Sequence, residues 1–266
     1  MGIARTNYYR KVSKQHRNDQ INCQQLLAVH QVHQHYGVER LALELHWSEV
    51  KTRRIRSKCG LHITQPTKRR KYGGSLPAEI TAPLNALKQF ASFKNETKPQ
   101  DGMSYAGMTN SGGWVQDFTY LWFDRKWHYL AVVLDLKTRQ VVGWRLGLHH
   151  SSELTYIALL DALSKHSPPT ILHSDQGSEY LSYKHQLICQ KMEIILSCST
   201  KSSPWQNGFM ERFFGSFKTE LGLLNQYKDL EHLHEAIALT IHYYNTKRIH
   251  TALKMSPVAY ATTLIS

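Results

Sequence analysis

A chain of 266 residues with 41% apolar residues is long enough for one large core or two modest ones. No apolar run reaches membrane-spanning length and the opening residues, MGIARTNYYR, carry no secretory pattern, which speaks against a membrane or exported protein. The net charge of +13 is concentrated: residues 1–75 hold 15 Lys or Arg against 4 acids and the other 191 hold 18 against 16, so a basic head is expected to meet a polyanion, nucleic acid being the usual one.

Residues 21 to 58 read as helical. INCQQLLAVHQVHQHYG places apolar residues at Ile21, Leu26, Val29 and Val32, with Gly37 as a stop. VERLALEL follows as a short helix, and Ser48 is a good N-cap for EVKTRRIRSKCG, which Gly60 can end. Short helix, turn and basic helix give a helix-turn-helix module over residues 1–72. Arg53, Arg54 and Arg56 on its third helix are candidate DNA contacts, joined by Lys68, Arg69 and Arg70 beyond it; a solvated basic helix in a small bundle is the plainer alternative. The four cysteines, Cys23, Cys59, Cys189 and Cys198, are scattered and form no C-x-x-C pair, so reduced thiols in a cytosolic protein are expected, with no disulfide and no zinc.

The glycine-containing stretch at 71–75 opens a linker over 73–108, with a short helix at Ala82 to Phe93. From Gly113 the pattern changes. WVQDFTYL, WHYLAVVLDL and QVVGWRLGL read as three strands, the last two joined by a tight turn at KTRQ. SSELTYIALLDALSKH reads as an amphipathic helix capped by Ser151 or Ser152, TILHSD as a fourth strand, and EIILSCS as a fifth beyond another helix. The expected fold is α/β: a mixed five-stranded sheet flanked by helices, in the order of RNase H-like domains, over residues 109–226. A helical tail occupies 227–266.

Three acids stand out. Asp117 is mid-strand, where aspartate is disfavoured; Asp175 ends the fourth strand; Glu211 lies on a helix begun after Pro204. On that helix Met210, Phe213, Phe214, Phe217 and Leu221 form one apolar arc, and Glu211 falls at its edge with Asn207 and Lys218 close in angle. Singly, each acid has a bland reading: a turn residue before Gly177, an edge-strand charge, a solvated helix face. Together, carboxylates from two strands and a helix suit phosphodiester cleavage by two divalent ions, which need hard oxygen ligands. Asp124 and Asp135 are rivals placed near turns.

The fragments VQDFTYL, YLAVVLDLKTRQVVGW, LHSDQGSEY, PWQNGFMERFFGSFKTEL and YYNTKRIHTALKMSPVAY, with 35 residues between Asp175 and Glu211, resemble those of DDE transposases and integrases. Nearly the whole chain is similar to the second-frame protein of insertion sequences of the IS-three family. The resemblance implies that Asp117, Asp175 and Glu211 are a catalytic triad holding two Mg2+ or Mn2+ ions. It implies cleavage of a transposon end and strand transfer by the resulting 3′-OH, with no covalent protein–DNA intermediate. It also implies that Lys218 contacts DNA, that Asn207 supports the acids, and that double-stranded DNA, both transposon end and target, is bound by a homo-oligomer in the cytoplasm, on the nucleoid. MGIARTNYYR resembles the end of a recognition helix, which suggests a frameshift fusion with an upstream-frame protein. The competing readings are an RNase H-like nuclease without end specificity and a DNA-binding regulator active only as such a fusion.

Overall fold

The computed structural model describes residues 5–62, 85–87, 92–93, 103–104, 112–199 and 207–265, with side chains described over 17–62, 85–87, 112–199 and 207–265. The chain divides into two compact units: Met1–Lys71 with Arg248–Ser256, and Tyr72–Lys247 with Pro257–Ser266.

The first unit holds α1 (Arg5–Val32), α2 (Val38–Glu44) and α3 (Glu49–Lys58). Ser48 caps α3 by accepting a hydrogen bond from the Lys51 N–H, and Gly60 adopts φ 66° just past its end. α1 begins 16 residues before the expected helical run, and its inward face differs from the expected one. Ile21 and Val32 are exposed, whereas Leu26 is buried with Leu41, Ala42 and Ile55. Asp19 is buried on that face and accepts both Arg54 nitrogens at 2.9 Å and Lys58 Nζ at 2.5 Å. One turn on, Cys23 of α1 is disulfide-bonded to Cys59 at the end of α3, with Cα atoms 5.7 Å apart. This corrects the expectation of four separate thiols: helix packing brings together two cysteines 36 residues apart, which no short motif could reveal. The segment 248–256 closes the unit. Tyr36, fully buried, accepts the Ile249 N–H at 2.6 Å, Arg40 Nε donates to the Ile249 carbonyl at 3.0 Å, and Lys254 pairs with Glu39 at 3.1 Å.

The second unit contains a two-residue strand pair, β1 (Ser92–Phe93) and β2 (Met103–Ser104), antiparallel. It lies where a linker was expected, and β1 replaces the end of the expected helix at Ala82 to Phe93. The main sheet comprises β3 (Gly113–Phe123), β4 (Lys126–Asp135), β5 (Val141–Gly147), β6 (Ile171–Ser174) and β7 (Ile195–Cys198). Its order is β5-β4-β3-β6-β7, the first three antiparallel and the last two parallel to β3. Asp124 and Arg125 both take positive φ in the β3–β4 turn, as a two-residue hairpin requires. Asp135 accepts the Lys137 and Thr138 N–H groups in the next turn. Both rival aspartates are thus turn residues.

Helices cover both faces. α4 (Ser152–Leu163), capped by Ser151, packs with Trp114, Ala131 and Val133 on one; α5 (Tyr183–Lys191) adds Cys189. α6 (Gly208–Leu221) and α7 (Leu230–Thr246) cover the other, where the five predicted apolar residues of α6 meet Val115, Leu121, Leu233 and Ile237; α8 (Pro257–Thr263) follows. The expected tail 227–266 is therefore divided, since α7 is part of the core. Asn245 near the end of α7 both donates to and accepts from the Val141 backbone at 2.9 Å, in the manner of a strand neighbour.

Candidate active site

The sheet register sets the two aspartates. β3 and β6 run parallel with Val115 opposite His173, so two residues further on Asp117 lies beside Asp175, on the same face. That face is the one under α6, because Asp117 shares the parity of Val115 and Leu121. Asp117 Oδ1 accepts its neighbour's N–H, that of Phe118, at 2.8 Å, and Oδ2 accepts Asn207 Nδ2 at 2.9 Å. Asn207 is the N-cap residue of α6, yet its side chain does not cap the helix. The amide is spent on the aspartate, and its Oδ1 is buried with no hydrogen-bond partner among the described residues. Asp175 Oδ1 accepts the Gly177 N–H at 3.0 Å. Glu211 lies in the first turn of α6, exposed, next to the buried Met210.

The electrostatics are those of gathered negative charge. Burial pushes the Asp117 carboxyl well above the usual carboxylate range, and the charges of Asp175, Glu179 and Glu211 push it further; the Phe118 N–H opposes them. Asp175 is exposed as a residue, yet crowding of its carboxyl by protein atoms raises it too, against the pull of the Gly177 N–H and His150. His173, buried in β6 on Ser197 Oγ at 2.8 Å, is held down to about 4 and stays neutral, so it supplies no counter-charge. Among the described residues no group of three or more His, Cys, Asp or Glu closes into a metal cage. The donor set nevertheless suits a hard divalent cation: carboxylate oxygens and an orphaned amide oxygen, in a field that cationic charge would relieve.

Glu179 was not anticipated. It follows Asp175 by four residues, is 7% exposed, and lies 3.6 Å from His150. No sequence pattern marks an acid as buried. The predicted DNA contacts fare differently. Arg53 pairs with Glu49, Arg54 is committed to Asp19, and Arg56 Nε donates to the Leu61 carbonyl beyond the end of α3. Lys218 lies in the last turn of α6, and Lys68, Arg69 and Arg70 fall outside the described residues.

The sheet order, one aspartate in β3 beside another just past the end of the parallel β6, and a glutamate on the covering helix define an RNase H-like integrase core. Two family models, each described as an integrase core domain, match residues 110–204 and 192–257. The chain is 29% identical over 92% of its length, and 94% of the relative's, to the transposase for insertion sequence element IS904 of Lactococcus lactis. It is 29% identical over 97% of its length, and 95% of the relative's, to a 31 kDa protein of insertion element IS600 of Shigella sonnei. Over 40% of its length, and 38% of the relative's, it is 38% identical to transposase InsF of IS3A from Escherichia coli. Among solved structures, a chain of the simian T-cell lymphotropic virus intasome, bound to PP2A regulatory subunit B56 gamma, matches with TM-score 0.50 at 17% identity, covering 88% of this chain and 73% of that one. The chain has an integrase core and is a transposase, similar to those of insertion sequences that include IS3A. The upstream-frame fusion partner expected from the sequence finds no support in these relatives.

Proposed function

We propose that the chain cleaves the ends of an insertion sequence and transfers them to target DNA, with Asp117, Asp175 and Glu211 as the catalytic carboxylates. The observation that carries this is the parallel register that sets Asp117 beside Asp175, in a field that raises the Asp117 carboxyl. Asp117 and Asp175 would supply carboxylate oxygens from the sheet and Glu211 a third from α6, to hold Mg2+ or Mn2+. When bound, such ions lower the pKa of an attacking water and stabilise charge on the phosphodiester. Asn207 keeps the Asp117 carboxylate in one orientation and leaves its other lone pairs available.

In the first step water attacks phosphorus at the element's end, the P–O3′ bond breaks, and the departing 3′-oxygen takes up a proton. In the second that 3′-OH attacks a target phosphorus; a new P–O bond forms as the target P–O3′ bond breaks, and the proton passes to the released oxygen. The number of phosphodiester bonds is conserved in the transfer, so no energy source and no protein nucleophile is needed. Lys218 would contact the DNA near the cleaved phosphate. Arg53, Arg56, Lys68, Arg69 and Arg70 would contact DNA from the N-terminal unit, with copies of the chain assembled on double-stranded DNA in the cytoplasm. Arg54 would act there only indirectly, through its joint with Asp19.

Asp117→Asn, Asp175→Asn and Glu211→Gln should each reduce Mg2+-dependent strand transfer by a factor on the order of 10² or more, as loss of one charge-stabilising group does elsewhere. Retention of transfer by any one removes that residue from the triad. Equal cleavage of random duplex and of duplex carrying the terminal repeats would favour a nuclease without end specificity.

A further inference from the structure

We propose that Glu179, held by His150, is a positioning residue that fixes the turn presenting Asp175; this rests on the reading of Asp175 as a catalytic carboxylate. The Asp175 carboxylate is oriented by one N–H, that of Gly177, at 3.0 Å. The Glu179 side chain folds back over that same residue. A Cβ at Gly177 would lie 2.0 Å from Glu179 Oε1 and 2.5 Å from its Cδ, so the carboxylate occupies the space a side chain would take. A side chain at Gly177 would therefore have to displace the Glu179 carboxylate, whereas the Gly177 backbone itself does not demand glycine.

The clamp is anchored on both sides. Glu179 Oε1 faces His150 Nε2 at 3.6 Å, and Ser178 Oγ donates to Oε2 at 3.4 Å. The His150 ring meets Phe118 edge-on, with centroids 3.9 Å apart, and stands beside Tyr120 and Tyr129 at 6.2 and 5.6 Å. Tyr180, fully buried next to Glu179, stacks on Phe118 at 5.9 Å. Phe118 is the residue whose N–H holds Asp117. One aromatic frame thus supports the backbone of the first aspartate and, through His150 and Glu179, the turn of the second. A buried acid is costly, and a bystander at this position would be replaced by an apolar residue at no loss.

The experiment uses the full chain and two readouts: Mn2+ binding without DNA, followed by electron paramagnetic resonance of the free ion, and steady-state nicking of end DNA. Glu179→Ala should weaken Mn2+ binding and lower kcat by about 10- to 100-fold, as loss of an outer support does at metal sites, with KM for DNA unchanged. Glu179→Gln, which keeps the shape and can still meet His150, should recover most of both. Gly177→Ala should be as damaging as Glu179→Ala, and the double variant no worse than either, because both disrupt the same contact. His150→Phe, which keeps the ring but not the nitrogen, should shift both readouts in the same direction and covers the case in which Glu179→Ala fails to fold. Wild-type Mn2+ binding and kcat in Glu179→Ala, or a Glu179→Gln protein as impaired as Glu179→Ala, would overturn the positioning role. Failure of the transposase reading looks different: the wild type itself would show no divalent-ion-dependent nicking, and the Mn2+ readout would still decide whether Glu179 supports a cation site.

Discussion

At the scale of single residues, the site is built against stability. Asp117 is a partly buried carboxylate surrounded by other carboxylates, with one amide and one N–H as its hydrogen-bond donors. Its pKa is raised on folding, so in metal-free protein its contribution to stability is full below the unfolded value of about 4 and is lost as pH rises through the folded value. Asp117→Asn should therefore melt higher than wild type in chelator at neutral pH while its strand transfer is reduced as predicted above, and the difference in melting should shrink as the pH is lowered toward about 4. Scanning calorimetry across that range checks the sign; a variant that melts lower than wild type at neutral pH would show that the charge is already compensated. Asn207 shows the same bias. An asparagine at a helix N-cap ordinarily stabilises its helix, and here the amide is turned to the aspartate.

At the scale of elements, the sheet depends on one close approach. Gly143 in β5 lies under α4 so tightly that a Cβ would sit 2.4 Å from the Ala158 carbonyl oxygen and 2.6 Å from the Ala162 nitrogen. Both obstacles are helix backbone and cannot rotate aside. Gly143→Ala should cost about 1–3 kcal/mol by forcing α4 off the sheet, read as a lowered denaturant midpoint with an unchanged slope. The elements themselves were legible where the pattern is strong. The strands from Gly113 to Gly147 alternate or run apolar, Ser48 and Ser151 announce their helices, and the five-residue apolar arc of α6 is buried as its spacing requires. The start of α1 was not legible, because its first residues are polar and carry no periodicity, and two-residue strands such as β1 and β2 lie below any pattern. Of the candidate site, Asp117 and Asp175 stand out because an acid in or at the end of a strand conflicts with local preference, and Glu211 because it borders the apolar arc of its helix. Glu179 and the Cys23–Cys59 bond could not, since both are consequences of packing between segments distant along the helix or loop path.

At the scale of the whole molecule, the linear order of the sequence and the division into units do not coincide. The N-terminal unit includes Arg248–Ser256, whose Ile249 backbone is held by Tyr36 and Arg40. A chain ending at Lys247 should lose on the order of 1–3 kcal/mol from that unit, the worth of two backbone partners, seen as faster amide exchange in α2. Unchanged exchange there would mean that the segment is only laid on the surface. The same arrangement bears on how the protein is made. Domains ordinarily mature in the order in which they leave the ribosome. Here the helices of the basic unit are synthesised first, yet the unit cannot be completed until residues 248–256 have followed the whole of the sheet, so a nascent chain stopped within the sheet would carry an unfinished N-terminal unit however intact its first helices.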